Sequence, residues 1–202
     1  MINNDVVFGI SDTDIVPINK NELNSRLGRG IDSDVINTYI EQYNQKVIYR
    51  YAYVRIPFEC RKDLCYFNDE ISIKSTVLAN FLNDADEVIL LAVSTGLEID
   101  KLINKSTIQN PIGAFYIDAI ASAGIESYIG YISNQICYGL NTTKRFSPGY
   151  ADFPLEFQSY LLERLSAKET LGIMLSKDYL MIPTKSITAV IGIKQTKGVW
   201  HE

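Results

Sequence analysis

Ten residues near the middle of the chain, D-E-V-I-L-L-A-V-S-T at 86–95, restrict the fold more than any others. Apolar side chains run without a break from Val88 to Val93, too short to cross a bilayer and the right length for a strand. A strand that alternates needs cover on one face only. An unbroken apolar strand needs it on both. The chain must therefore place other elements on each side of a sheet that contains this segment. Gly96 closes the run and Leu97 to Ile103 starts a helix. A strand entering a helix through Ser-Thr-Gly at 94–96 is a tight turn or a phosphate cradle, and one glycine favours the turn.

Candidates for the covering layers lie on both sides of this strand. Val6 to Ile10 reads as a short strand. Asn19 or Asn21 caps a helix through Leu27, ended by Gly28 and Gly30, and Asp32 or Ser33 starts a longer one with Val35, Ile36, Tyr39, Ile40 and Tyr43 at helical spacing. Tyr49 to Phe58 reads as a strand, with Pro57 marking an end or an edge, and Leu64 to Ile73 continues the β character. Ser75 or Thr76 caps a short helix through Asn83. Pro111 suits the first turn of a long helix reaching about Tyr138. That helix is rich in small residues, and Ala119, Ala123, Glu126 and Gly130 fall on one face. Glu126 is then either a carboxylate on a close-packed face that needs a partner, or a solvated or Arg-paired one. Leu155 to Leu165 reads as a helix, and Leu171 to Ser176 and Ser186 to Ile193 as strands. Without a strict βαβ rhythm, the pattern indicates one mixed α/β domain over residues 1–202, a sheet with helices packed against it.

Composition excludes several functions. An apolar fraction of 47% with 21% charged residues supports a real core in a chain of 202 residues. The net charge is −5, without a Lys/Arg block, which argues against nucleic acid as main partner. No signal-peptide layout or membrane-length apolar run is present, so a cytoplasmic location is expected. Three irregularly spaced cysteines, Cys60, Cys65 and Cys137, make neither a disulfide framework nor a zinc site and read as small buried thiols. The single histidine, His201, is next to last, which argues against Ser-His-Asp or Cys-His catalysis.

The densest collection of special residues is T-T-K-R-F-S-P-G-Y-A-D-F-P-L-E-F-Q at 142–158. Arg145 offers a planar fork of donors for a carboxylate or phosphate. Pro148 and Gly149 make a turn that exposes backbone N–H and C=O groups. Phe146, Tyr150 and Phe153 offer flat surfaces for a purine or a sulfonium. Asp152 and Glu156 can accept from an ammonium or a ribose, or Asp152 caps the helix that begins near Pro154. The alternative is a surface corner with Arg145 in a salt bridge and the aromatics in the core.

R-F-S-P-G-Y-A-D-F-P-L-E-F-Q resembles the signature of the activation domain of cobalamin-dependent methionine synthase, and more closely the stand-alone activation-domain-like proteins of anaerobic bacteria. Three further segments agree in order: D-E-V-I-L-L-A-V-S-T-G-L-E-I-D at 86–100, Y-I-D-A-I-A-S-A-G-I-E-S at 116–127 and M-I-P-T-K-S-I-T-A-V-I-G-I at 181–193. The resemblance runs from about Ile18 onward. It implies a twisted, largely antiparallel sheet flanked by helices. It also implies a module that binds S-adenosylmethionine and supports reductive methylation of cobalamin carried by a partner methionine synthase or similar corrinoid protein. A flavodoxin- or ferredoxin-type donor would supply the electron, and the chain would be an accessory component rather than an independent enzyme. Carried over residue by residue, Arg145 would hold the ligand carboxylate, Ser147 would offer backbone groups within the Pro148–Gly149 turn, Tyr150 matches the motif tyrosine, and Glu126 would accept from the ligand ammonium.

The chain departs from the methionine synthase pattern in three places. Ala151-Asp152-Phe153-Pro154 replaces P-A-C-P, Ile187-Thr188 stands where the family has a tyrosine pair, and an early D-W-T-P-F-F motif has no counterpart. These departures keep open a second reading, a module that docks on and caps a corrinoid-binding protein without a ligand of its own. An independent methyltransferase is disfavoured, because no Gly-rich loop follows the first strand.

Overall fold

The computed structural model describes residues 5–11, 16–28 and 32–194. Gly30 and His201 lie outside the described residues. Along the chain, β1 (Val7–Ser11), α1 (Lys20–Leu27) and α2 (Ser33–Asn44) precede the long strand β2 (Tyr49–Arg61). Next come β3 (Leu64–Phe67), β4 (Ile71–Lys74), α3 (Thr76–Phe81), β5 (Ala85–Ser94), α4 (Leu97–Gln109) and α5 (Pro111–Ile136). The last elements are α6 (Phe157–Arg164), α7 (Ala167–Thr170), the short pair β6 (Met174–Leu175) and β7 (Met181–Ile182), and β8 (Ser186–Lys194).

The main sheet has the order β4-β3-β2-β5-β8, with β1 also paired to β2, and all of these pairings are antiparallel. Strand β5 lies between the two long strands β2 and β8. Its side chains alternate between two cores. Val88, Leu90 and Ala92 join Phe153, Phe157, Leu161 and Leu165 on one face. Ile89, Leu91 and Val93 join Tyr43, Ile99, Ile120 and Ile129 on the other. The expected double cover of the apolar run is met: the α6–α7 region lies on one side and α5, with α1, α2 and α4, on the other.

Helix starts follow their sequence signals. Asn19, Asp32, Ser75 and Asn110 each accept a backbone N–H from the first turn of α1, α2, α3 and α5. Gly28, at φ 81°, ends α1. The Ser-Thr-Gly junction is a plain turn: Ser94 Oγ accepts from Gly96 N, and Thr95 N donates to Lys185 O. Strand β2 runs past Pro57, which is its last residue paired with β5; beyond it, Phe58 to Arg61 pair with β3 alone.

Two expectations are corrected. Leu171 to Ser176 is not a strand except at Met174–Leu175; Leu171 and Ile173 are apolar because they pack under the sheet, and Gly172 at φ 70° turns the chain between them. Cys60 and Cys65 are not free thiols but a disulfide. The β2–β3 hairpin sets them directly opposite each other, with Cα atoms 4.2 Å apart, so local pairing rather than the overall count decides their state. Cys137 remains free.

The α5 side of the sheet is held by a tyrosine cluster. Tyr43 donates a buried hydrogen bond of 2.8 Å to Tyr49, whose ring stacks on Tyr128 at 4.3 Å. Burial pushes the Tyr49 and Tyr128 hydroxyls up to about 12. Gly124 is what admits the pair: a Cβ there would lie 2.6 Å from Tyr43 Oη and 2.7 Å from Tyr49 Oη. Gly124→Ala should therefore cost about 1–3 kcal/mol of stability by overpacking. The check is a shift of the urea midpoint with an unchanged m-value. The same substitution in a Tyr43→Phe background should cost less, because the nearest of the clashing oxygens is gone.

Candidate functional site

The outer edge of β8 determines where the site can form. Its backbone groups need partners, and the segment 142–147 supplies them. Thr143 N donates to Gly192 O and Gly192 N to Thr143 Oγ1, both at 2.9 Å; Phe146 exchanges two backbone bonds with Val190 at 2.8 and 2.9 Å. Ser147 Oγ then donates to Thr188 O at 2.6 Å. In an extended segment successive side chains point to opposite sides. Phe146 packs against Phe81 and Phe153, with ring centroids 4.8 and 6.0 Å away, while its neighbour Arg145 faces away from that cluster. The chain then turns at Pro148-Gly149, with Gly149 at φ 88° and its N–H donated to Phe153 O.

Between this segment and the C-terminal half of α5 lies a cleft of about 860 Å³, in the size range of small-molecule sites. Arg145 and Glu126 meet across it, Nη2 to Oε2 at 3.4 Å, with side chains 31% and 41% exposed. The stripe of small residues on α5 rotates from core to cleft. Ala119 and Ala123 are buried against the sheet, and Gly130 lines the cleft with no atom within 4 Å of where its Cβ would stand.

Of the residues singled out from the sequence, Glu126, Arg145, Ser147, Pro148 and Tyr150 line the cleft; Gly149 does not, and serves the turn behind it. Tyr150 is 67% exposed on the rim. Phe153 follows the alternative reading of the stretch, an aromatic in the core rather than a ligand platform, buried between Phe146 and Phe157. Asp152 is corrected. Its carboxylate accepts from Ser75 Oγ, Thr76 N at 2.7 Å and Val77 N, and so caps α3 rather than the helix after Pro154 or a ligand. The Ser75 hydroxyl and then the α3 backbone N–H groups hold its pKa below the usual carboxylate range. Sequence reasoning missed Asn134, Cys137, Thr142, Gln158 and Met181, which also line the cleft. Thr142, Gln158 and Met181 fall inside segments already singled out, but their residue types point to no ligand role; Asn134 and Cys137, at the end of α5, reach the cleft by packing and lie in no such segment. Gln158 is buried and bonds Thr188 Oγ1 at 3.1 Å and Tyr179 O at 2.8 Å, bracing the floor. Ile187 and Thr188 of β8 also line the cleft.

The arrangement defines a mixed α/β module with a half-open cleft and one facing cation–anion pair. No protein-family model matches the chain, nor does any curated protein. Among solved structures it is similar to the crystal structure of the MetH reactivation domain bound to AdoHcy, at 13% identity and a TM-score of 0.69, over 96% of this chain and 80% of that chain. The chain has the fold of that reactivation domain. Among the described residues no helix is long and apolar enough to cross a membrane.

Asp152 gives a signed pH test. A carboxylate whose folded pKa is depressed stabilises above its unfolded pKa, near 3.9, and loses that contribution as pH falls through the folded value. Asp152→Asn should therefore be less stable than the parent protein at pH 7, and the gap should narrow steadily below about pH 4. Urea denaturation at both ends of that range reads it out.

Proposed function

We propose that the cleft binds S-adenosylmethionine and that the protein is a reactivation module supporting reductive methylation of the corrinoid of a separate cobalamin-dependent methionine synthase. The observation that carries this reading is the Arg145–Glu126 pair across the cleft. A guanidinium fork and a carboxylate facing each other match the carboxylate and ammonium of an amino-acid head group. Each protein ion is balanced by the other before binding and by the ligand after it. Tyr150 on the rim and the backbone of Ser147 and Pro148 complete the contacts on this side, while Gly149 sets the turn that presents them. The AdoHcy named for the neighbouring structure supports the same ligand class.

When bound, S-adenosylmethionine supplies an electrophilic methyl group. The residues of this chain bind and orient it toward the open mouth, where a corrinoid protein would present its cofactor. A flavodoxin- or ferredoxin-type protein would deliver the electron, and the whole system would operate in the cytoplasm. The chain would act as an accessory of that methyltransferase system rather than as an enzyme alone.

Titration calorimetry tests the reading. S-adenosylmethionine should give a saturable isotherm, and Arg145→Ala should weaken it by about 1–3 kcal/mol, the partial exposure of the pair moderating the loss. A flat isotherm with and without a corrinoid partner would overturn the proposal.

A second reading, a capping module without a ligand, is favoured by Ile187-Thr188 and by an apolar rim. Tyr138, Tyr150, Leu180 and Met174 are 89%, 67%, 63% and 52% exposed around the cleft end and the β6–β7 hairpin. Under it the protein should co-elute with a corrinoid-binding protein, and Arg145→Ala should leave that association unchanged.

A further inference from the structure

Helix α5 contains three glycines, Gly113, Gly124 and Gly130. Glycine is a poorer helix former than alanine, so each needs a reason. Packing supplies it for two of them. A Cβ on Gly113 would lie 2.7 Å from Asn110 Nδ2 and 2.8 Å from Tyr39 Oη, and Gly124 admits the Tyr43–Tyr49 pair. At Gly130 no atom stands within 4 Å of the Cβ position, and the residue lines the cleft. Nothing in the protein needs that space. A molecule lying against the helix backbone would.

The cleft fixes which part of the ligand that is. The α5 residues that line it start at Glu126 and continue on one face through Gly130, Ser133 and Asn134 to Cys137. At 1.5 Å per residue, Gly130 lies about 6 Å and Asn134 about 12 Å beyond Glu126 along the axis. The opposite direction is closed. Ser122 Oγ accepts from Lys185 Nζ at 2.9 Å, Lys185 pairs with Asp118 at 2.8 Å, and none of these three lines the cleft. In S-adenosylmethionine roughly eight bonds separate the α-carbon from the glycosidic nitrogen, about 9 Å when extended. A head group at Glu126 and Arg145 therefore carries the base to the level of Asn134. The lining changes in the same direction. No charged residue follows Glu126 in α5, as suits an uncharged nucleoside. Ser133 Oγ is occupied, donating to Ile129 O at 2.6 Å. The Asn134 amide makes no hydrogen bond among the described residues and offers one donor group and one acceptor.

We infer that the adenosyl half of the ligand lies along α5 toward its C-terminal end, over Gly130, and that Asn134 reads the N6 and N7 edge of the adenine. The inference rests on the ligand reading above and gives that ligand a direction in the cleft. Gly130 acts by leaving the helix backbone bare where the nucleoside crosses it. Asn134 sets the base specificity, its carbonyl accepting from N6 and its amide donating to N7.

Calorimetry with S-adenosylmethionine on the full chain and its variants tests it. Gly130→Leu should weaken binding about tenfold or more and Gly130→Ala about two- to fivefold, since each added group fills space the nucleoside needs. Both should unfold in urea at a midpoint no lower than the parent's, because glycine is the poorer helix former. Ser122→Ala, one turn to the other side of Glu126, should stay within about twofold of the parent. S-adenosylhomocysteine should bind about fivefold or more tighter than S-inosylhomocysteine, whose 6-oxo group cannot donate to Asn134, and Asn134→Ala should erase that ratio. The inference is overturned, with the ligand reading intact, if Gly130→Leu binds like the parent or Ser122→Ala loses as much as Gly130→Leu. A base ratio of one in the parent, or one that Asn134→Ala leaves in place, overturns it too. A parent protein that gives no heat with S-adenosylmethionine overturns both.

Discussion

Strand β5 takes seven consecutive side chains, Val88 to Ser94, to 2% exposure or less. Each large aliphatic among them contributes about 1.5–3 kcal/mol relative to exposure, but only if both faces of the sheet are roofed. That requirement puts α5 on one side and the α6–α7 region on the other, in two cores that share the strand. Between these two layers the sheet still has an open border at β8, whose backbone groups need partners. The segment 142–147 meets that need, and by standing off from α5 on the same side it leaves the cleft. The site is thus a by-product of closing a sheet edge with an irregular segment instead of a regular strand. A regular strand would have continued the ladder and filled the space.

The cleft's electrostatics follow from the same geometry. The segment is extended, so alternate side chains go to opposite sides, Phe146 to the core and Arg145 away from it. On α5 the small-residue stripe brings Glu126 to the same height. Two ions that face each other across a half-open cleft cost little to hold, because each screens the other and water reaches both. They are also easily separated by a ligand that carries the complementary pair of charges, which is what a binding site for an amino-acid head group requires.

Much of the fold was legible because its signals are local. The unbroken apolar run of β5, the caps at Asn19, Asp32 and Ser75, and Pro111 at the start of α5 all act within a few residues of themselves. Errors arose where partners distant in sequence decide the outcome. Asp152 has the composition of a cap for the nearest helix, yet it caps α3, 75 residues earlier in the chain, because the turn at Pro148-Gly149 carries it there. Leu171 and Ile173 alternate like a strand but do so against a sheet that other segments build. Cys60 and Cys65 follow the reverse rule: a count over the whole chain hid a pairing that the adjacent hairpin makes directly. For the site, the residues that a motif marks, Arg145 and Glu126, meet as their chemistry suggests. Asn134 reaches the cleft through packing alone, and Gln158 and Met181, though they sit in conspicuous segments, have side chains whose place in the cleft only the assembled fold decides.

The R-F-S-P-G-Y-A-D-F run therefore has two sets of duties, divided by side-chain direction. Phe146, Ser147, Gly149, Asp152 and Phe153 join α3, the α6 side of the core and β8 into one corner. Arg145 and Tyr150 line the open space without a role in that corner, beside Ser147 and Pro148, which also border it. Because the corner is tied to three elements, the Arg145 fork is held in place before any ligand arrives. Little ordering of the segment then has to be paid at binding. Without that bracing, an exposed arginine on a surface loop would give up several rotamers for one contact, and the pairing across the cleft would carry little affinity. Asp152 fastens this corner to the first turn of α3 through Thr76 N and Val77 N, and leaves Arg145 to face Glu126 across the cleft.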